Sequence, residues 1–260
     1  MMVMPSFLDA YAEMKQSILI SSYSENFRTA DAKEIEEARR TADAYNEKIR
    51  VQQQSSAFSY LPADPADKEY QDVLCGGDAD NTMALLTIPE INVSLPVVHG
   101  TDEEQLKYEA GHMYGTSLPS GGTSTHCVIA AHTGLVNAKL FTDLVKLEEG
   151  DTFSITVLNE KHIYTIDRIL VVFPEEEDTY LQVEDGFEFV TLYTCTPYGV
   201  NDHRLLVRGI RTGNETIEEG SITVRMPALF PLVKMLLCIS VPLAVPVMTL
   251  IFRRREEGLS

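Results

Sequence analysis

The residues best equipped for chemistry lie in Thr191-Leu192-Tyr193-Thr194-Cys195-Thr196-Pro197-Tyr198-Gly199 and in His203-Arg204-Leu205-Leu206-Val207, which follows it. Cys195 ends an apolar, β-branched run, and Arg204 stands nine residues later on the next run. A strand-borne nucleophile and an anion stabiliser come to face one pocket in this way. A histidine is the expected third member. His132, in Ile129-Ala130-Ala131-His132-Thr133-Gly134-Leu135, ends another short buried-type strand with a glycine turn behind it. A cysteine and a histidine far apart in sequence, each at a strand end, suit a cysteine transpeptidase or protease. A free thiol, with its pKa at about 8.5, is mostly protonated at neutral pH, so a nearby cation such as His132 or Arg204 is needed to favour the thiolate. Arg204, planar and always charged, suits a tetrahedral oxyanion or the substrate backbone. His132 can give a proton to a departing amine and take one from an incoming amine.

Each choice has a rival. The chain has six histidines. His126 begins the strand that His132 ends, which puts it at the wrong end. His203 adjoins Arg204 and, by strand alternation, points to the other face. His99, His112 and His162 read as surface or loop residues, and nothing groups them as metal ligands. No metal and no cofactor is expected. Arg208 is in phase with Arg204 but lies about 13 Å further along an extended strand, too far to share a small site.

The elements that must position these residues are short β runs after Asp80: Met83 to Ile88, Val93 to Val98, Cys127 to Ala131, Phe153 to Leu158, Ile163 to Val172, Phe189 to Cys195 and Leu205 to Ile210. Turn signals separate them, notably Glu149-Gly150-Asp151 and Asn159-Glu160-Lys161, so the expected fold is mainly β, an antiparallel barrel or sandwich. Ala138 to Leu147 carries Leu140, Phe141, Leu144 and Leu147 at helical spacing and reads as a short helix covering one barrel end. Upstream, Thr29 to Gln54 reads as an amphipathic helix through Ile35, Ala38, Ala42, Tyr45 and Ile49, serving mostly as a solvated spacer. Ser55 to Gly77, rich in Ser, Pro, Asp and Gly, reads as an irregular loop.

The 260 residues allow one domain with appendages. A net charge of -18 argues against nucleic acid, which needs a basic face, and is read as solubility. Cys75, Cys127, Cys195 and Cys238 show no CxxC spacing and are too few for a disulfide framework. Cys127 and Cys238 read as small apolar fillers. Met235 to Phe252 is an uncharged stretch of 18 residues, closed by Arg253-Arg254-Arg255. A helix of that length, about 27 Å, crosses a hydrocarbon core with its arginine end in the cytoplasm, leaving the bulk of the chain outside. Met1 to Tyr23 shows no export signal, so the expectation is a start further upstream or a removed anchor.

Taken together, LYTCTPYGVNDHRLLVRG, AAHTGL, AKLFTDL and the C-terminal apolar helix resemble the sortases, and more narrowly their class C, pilus-assembling group of Gram-positive bacteria. The likeness runs from the N-terminal helix through about Arg211. It implies an eight-stranded sortase β-barrel with an N-terminal helix, short covering helices and a C-terminal transmembrane helix. On that scheme 1–54 is a helical spacer, 55–79 a lid-containing loop, 80–212 the catalytic barrel, 213–226 a linker, 227–252 the transmembrane helix and 253–260 a cytoplasmic tail. The resemblance further implies His132, Cys195 and Arg204 as catalytic residues, with Thr194 and Thr196 at the substrate. The substrate would be an LPXTG-like signal cut between Thr and Gly, the partners pilin subunits, and the acceptor a pilin lysine. One departure is Ala131-His132-Thr133-Gly134 where class C members more often have Gly-His-Arg-Gly. Another falls in Ala63-Asp64-Pro65-Ala66, at the place of the class C lid: Asp64 and Pro65 match, while Ala66 stands where an aromatic should cover the cysteine, leaving Tyr60 or Tyr70 to substitute. Competing readings are a sortase that anchors proteins to the cell wall, a hydrolytic cysteine protease and an inactive module that binds sorting signals.

Overall fold

All seven expected apolar runs become strands, and a short eighth joins them. The computed structural model describes residues 3–55, 67–75, 82–134 and 139–216. Its strands are β1 (Thr82–Ile88), β2 (Val93–His99), β3 (Ala110–His112), β4 (Thr125–Ala130), β5 (Thr152–Val157), β6 (Glu160–Val172), β7 (Glu188–Thr196) and β8 (His203–Thr216). They close into a barrel in the order β1-β2-β3-β4-β7-β8-β6-β5. The pairs β2/β3 and β4/β7 are parallel and the others antiparallel. β3 has three residues, too short for a periodic pattern to show. β8 runs through Thr216, beyond the point where a linker was expected to begin.

Alternation along the strands sorts the side chains. Cys127 and Ile129 of β4, Val190 and Leu192 of β7, and Leu205 and Val207 of β8 fill the barrel with Leu86, Val97, Phe153 and Tyr164. Burial of each large apolar side chain stabilises the barrel by about 1.5–3 kcal/mol. The intervening residues point outward. There Val128, Val172 and Leu206 form a second apolar cluster with Met113 and Leu181, and Leu170 and Tyr193 pack against it. The β5–β6 hairpin turns through Leu158 and Asn159, both at positive φ, the geometry that suits a two-residue connection.

Three helices flank the barrel. α1 (Val3–Thr29) falls in the stretch assigned to a helical spacer, but it is docked: it buries Ala12, Leu19 and Tyr23, and the Tyr23 hydroxyl donates to the Met83 carbonyl at 3.1 Å. α2 (Ala32–Ser55) matches the expected helix, but it is docked and not a solvated spacer. Ala42, Tyr45 and Ile49 enter the main core, and the buried Asn46 accepts from Leu118 N at 2.6 Å and donates to Ser120 Oγ at 3.1 Å. At its C-terminal end Gln53 accepts from Val183 N at 2.9 Å. α3 (Lys68–Asp72) interrupts the stretch read as a loop.

The helix expected at Ala138 to Leu147 is a correction. From Lys139 onward the segment consists of turns and a 3-10 turn at Leu144–Lys146. Leu140 sits at φ +37, which an α-helix does not admit. Its apolar residues are still buried, since Leu140, Phe141, Leu144 and Leu147 all join the core. His99, His112 and His162 are also corrected: all three are buried, held by hydrogen bonds within the fold. Among the described residues no helix is long and apolar enough to cross a membrane. The expected span at 235–252, the arginine cluster and the lid residues Asp64 and Pro65 lie outside the described residues.

Candidate active site

The candidate residues lie at or just past the ends of three adjacent strands, β4, β7 and β8. In the β7/β8 ladder Cys195 is directly opposite Arg204, and Thr196 is opposite His203. Directly paired residues share a face, so thiol and guanidinium project together. In the parallel β4/β7 ladder Ala130 is level with Tyr193, and Ala131 N donates to the Tyr193 carbonyl at 3.2 Å. β4 ends there, and His132 follows two residues beyond it, on the side of the sheet where β7 ends at Cys195 and Thr196. Cys195 and Arg204 are thus paired across β7 and β8, with His132 in the segment that leaves the neighbouring end of β4. Cys195 is half-buried and has no disulfide partner.

Turns at the strand ends fix the flanks. Between β7 and β8 the chain passes a cis Thr196–Pro197 bond, and Val200 N and Asn201 N both donate to the Pro197 carbonyl. Beyond β4, the His132 carbonyl accepts from Phe141 N at 3.1 Å, and Gly134 N donates to Thr142 Oγ1 at 3.0 Å. Gly134 is at φ +77, and a Cβ there would come within 2.9 Å of the Tyr198 ring. The position therefore requires glycine twice over, for its backbone and for the ring lying against it.

Arg204 is held by groups that the sequence did not reveal. Its Nε donates to the Tyr193 hydroxyl at 2.7 Å, and that hydroxyl donates to Glu177 Oε2 at 2.8 Å. Glu177 Oε2 also lies 3.6 Å from Arg204 Nε. Arg204 Nη1 donates to the carbonyls of Asn201 and His203, each at 3.2 Å. Tyr193 is two residues before Cys195 and so on the same face. Glu177 comes from a 3-10 turn, Pro174–Tyr180, in the β6–β7 connection. Its side chain is only 11% exposed, and burial pushes its carboxyl above the usual range, against the pull of Tyr193 and Arg204. Burial and the Glu177 hydrogen bond push the Tyr193 phenol up too, so it stays protonated.

The other candidates lie apart from the Cys195–Arg204 pair. Thr194 and Thr196 alternate with Cys195 and face the opposite side; Thr194 is buried and its hydroxyl donates to the Ala131 carbonyl at 2.7 Å. Their side chains are not presented to the groove. His203 lies on the far face, as alternation requires, against Asp202 and the Phe173 ring. Arg208 is tied to Asp167 at 2.6 Å and Glu184 at 2.9 Å. His126 is buried and neutral, its pKa lowered to about 4 by desolvation. It donates through Nδ1 to the Gln182 carbonyl and accepts from the Thr191 hydroxyl, pinning the β6–β7 connection to the sheet. Tyr70 cannot serve as a lid ring: it is fully buried, between His112, at 2.9 Å, and Gly100 N, at 2.8 Å. Burial pushes the Cys127 thiol up, which leaves it inert.

Along the same outer face a shallow cleft is lined by Leu170, Tyr180, Thr191 and Leu206 together with Arg168 and Arg208. A thiol, an imidazole from the neighbouring strand end and a fixed guanidinium can together acylate and deacylate on a peptide.

A family profile described as a sortase domain matches residues 86–212. Sortase A of Streptococcus agalactiae serotype III (strain NEM316) is 29% identical over 114 residues, 43% of this chain and 45% of its own. Sortase D of Bacillus subtilis (strain 168) is 27% identical over 114 residues, 44% of this chain and 54% of its own. The match thus spans about half the length of these two relatives. Among solved structures, sortase C-1 from Actinomyces oris is 44% identical with a TM-score of 0.61, covering 69% of this chain and 99% of that one. Sortase C1 from S. agalactiae is 38% identical with a TM-score of 0.69, covering 76% and 99%. Sortase C from Streptococcus pneumoniae is 36% identical with a TM-score of 0.64, covering 75% and 96%. By these likenesses the chain belongs to the sortase family and, within it, to class C.

Proposed function

We propose that this chain is a cysteine transpeptidase that cuts an LPXTG-like sorting signal between Thr and Gly and joins the Thr to a lysine of another pilin subunit. The observation that carries the reading is the pairing of Cys195 with Arg204 across β7 and β8, with His132 two residues past the end of the adjacent β4. The solved relatives support its pilin side: the S. pneumoniae enzyme's description speaks of pilin substrate specificity, and a further solved relative, 40% identical, is described as sortase C1 of GBS pilus island 1.

On this reading Cys195 Sγ, as thiolate, attacks the Thr carbonyl carbon and the carbonyl oxygen becomes an oxyanion facing Arg204. As the intermediate collapses, the Thr–Gly bond breaks, the Gly nitrogen takes a proton from His132, and a thioester to Cys195 remains. A lysine amine then attacks the thioester, His132 accepts its proton, and the thiolate leaves, which restores the enzyme. The cleft floor of Leu170 and Leu206 would take the apolar start of the signal. We assign 235–252 to a membrane span that keeps the barrel outside the cell, and Asp64 and Pro65 to a lid over the groove.

The test is mass spectrometry of products after the full chain in detergent is mixed with a pilin bearing an LPXTG-like tail. A ladder of pilins joined through Thr–Lys isopeptide bonds, absent with Cys195→Ala, is the expected result. A product joined only to a small cell-wall amine would replace pilus polymerisation by wall anchoring, and a hydrolysed tail alone would leave a protease.

A further inference from the structure

Arg204 is a long side chain near a hairpin end, and such a side chain loses much rotamer entropy when fixed. Something must hold it over Cys195 and not along the strand. The guanidinium has one edge occupied at Nε, by the Tyr193 hydroxyl, and its Nη1 corner occupied by two main-chain carbonyls of its own hairpin. Among the described residues, Nη2 has no partner. That leaves one nitrogen directed by contacts at the other two. The Tyr193 hydroxyl can accept from Nε in this way because its own proton is committed to Glu177.

Glu177 is the unusual member. It belongs to Glu175-Glu176-Glu177-Asp178, where a carboxylate has no reason to leave water, yet its residue is 8% exposed. Nearly buried charge needs compensation, and Arg204 with Tyr193 supplies it. The tyrosine stands between anion and cation: it keeps Glu177 in the chain of hydrogen bonds while the direct Arg204–Glu177 approach stays at 3.6 Å. Without the hydroxyl, guanidinium and carboxylate would close into a direct pair, since a bidentate contact is stronger than one at 3.6 Å. The guanidinium would then be drawn toward the β6–β7 connection and off the thiol.

We infer that Tyr193 and Glu177 are positioning residues for the transpeptidation, aiming Arg204 at the acyl carbonyl on Cys195. The inference rests on the reading that Arg204 stabilises the oxyanion. It assigns neither residue any contact with the substrate.

The test uses the full chain in detergent with a quenched LPXTG-like peptide and an amine acceptor, comparing Tyr193→Phe, Glu177→Gln, Arg204→Ala and the double variant Tyr193→Phe/Arg204→Ala. Tyr193→Phe should lower kcat by about 10- to 100-fold while KM stays within about two-fold, since misplacing a catalytic group by an ångström has that effect. Glu177→Gln, which preserves shape and removes charge, should lower kcat in the same direction by less. In the Arg204→Ala background, Tyr193→Phe should change nothing further, because its effect passes through the arginine. Thermal unfolding by circular dichroism accompanies each variant; should Tyr193→Phe fail to fold, Glu177→Gln and its double variant with Arg204→Ala decide by the same criterion. Wild-type kcat in Tyr193→Phe, a change confined to KM, or losses that multiply in the double variant would overturn the inference. Full activity in Arg204→Ala would instead overturn the reading of Arg204 beneath it.

Discussion

Cys195 and Thr194 are neighbours with opposite duties, one facing the groove and the other the barrel. The motif that marks the thiol was legible because it ends an apolar run, and strand phase placed Arg204 with it and His203 against it. The same alternation separates Thr194 and Thr196 from Cys195, so residue identity in a motif misleads where the face is not read with it. Glu177 was not legible: three of four residues in its acidic run behave as such runs do, and only a fold that brings the β6–β7 connection over the sheet turns the fourth inward. Thr194 carries a prediction of its own. Its hydroxyl holds β7 to the Ala131 carbonyl, next to His132. Thr194→Val keeps the shape and leaves that carbonyl without its donor, so the protein should lose about 1–3 kcal/mol of stability. Transpeptidation should fall with it, and Thr194→Ser should restore both in urea unfolding and peptide turnover. A valine variant as stable and active as the wild type would remove the hydroxyl from the account.

At the scale of elements, the sequence pattern served best where side chains alternate cleanly and worst where burial has no period. The segment after His132 shows why: helical spacing of Leu140, Phe141, Leu144 and Leu147 records that these residues are buried, while positive φ at Leu140 makes the path irregular. β3 is short, and α1 buries only an occasional residue along its described face, so neither left a period to read. Two buried histidines pin such irregular elements. His126 ties the β6–β7 connection to the sheet, and His112 holds Tyr70 of α3. Burial lowers the pKa of each from 6.5 to about 4. Below pH 6.5 the unfolded chain takes up protons that these folded imidazoles refuse, so stability should fall as pH drops toward 4. The slope is at most about 1.4 kcal/mol per pH unit for each histidine. Urea midpoints between pH 7 and 5.5, above the ordinary carboxylate range, should therefore decline, and His126→Gln should show a shallower decline. A midpoint that holds constant or rises over that window would contradict the burial argument.

The whole molecule is a barrel used on two faces, with an apolar interior that supplies stability and an outer face that carries a second apolar cluster and the Cys195–Arg204 pair. The closed order of strands makes this possible: because β4 lies parallel to β7, and β7 antiparallel to β8, the end of β4 before His132, the end of β7 with Cys195 and the start of β8 with Arg204 fall on one side of the barrel. The net charge of -18 is consistent with an acidic surface around the Arg204 guanidinium, which is paired opposite Cys195. The central claim is that Cys195 takes the acyl group of the sorting signal, and intact-mass spectrometry tests it most directly. The full chain would be mixed with an LPXTG-like peptide in the absence of any amine acceptor and quenched in acid. The account predicts a mass increase equal to the peptide through its Thr, located on Cys195, released by hydroxylamine, absent in Cys195→Ala and reduced in His132→Ala and Arg204→Ala. An adduct on another residue, or one that persists in Cys195→Ala, would contradict it.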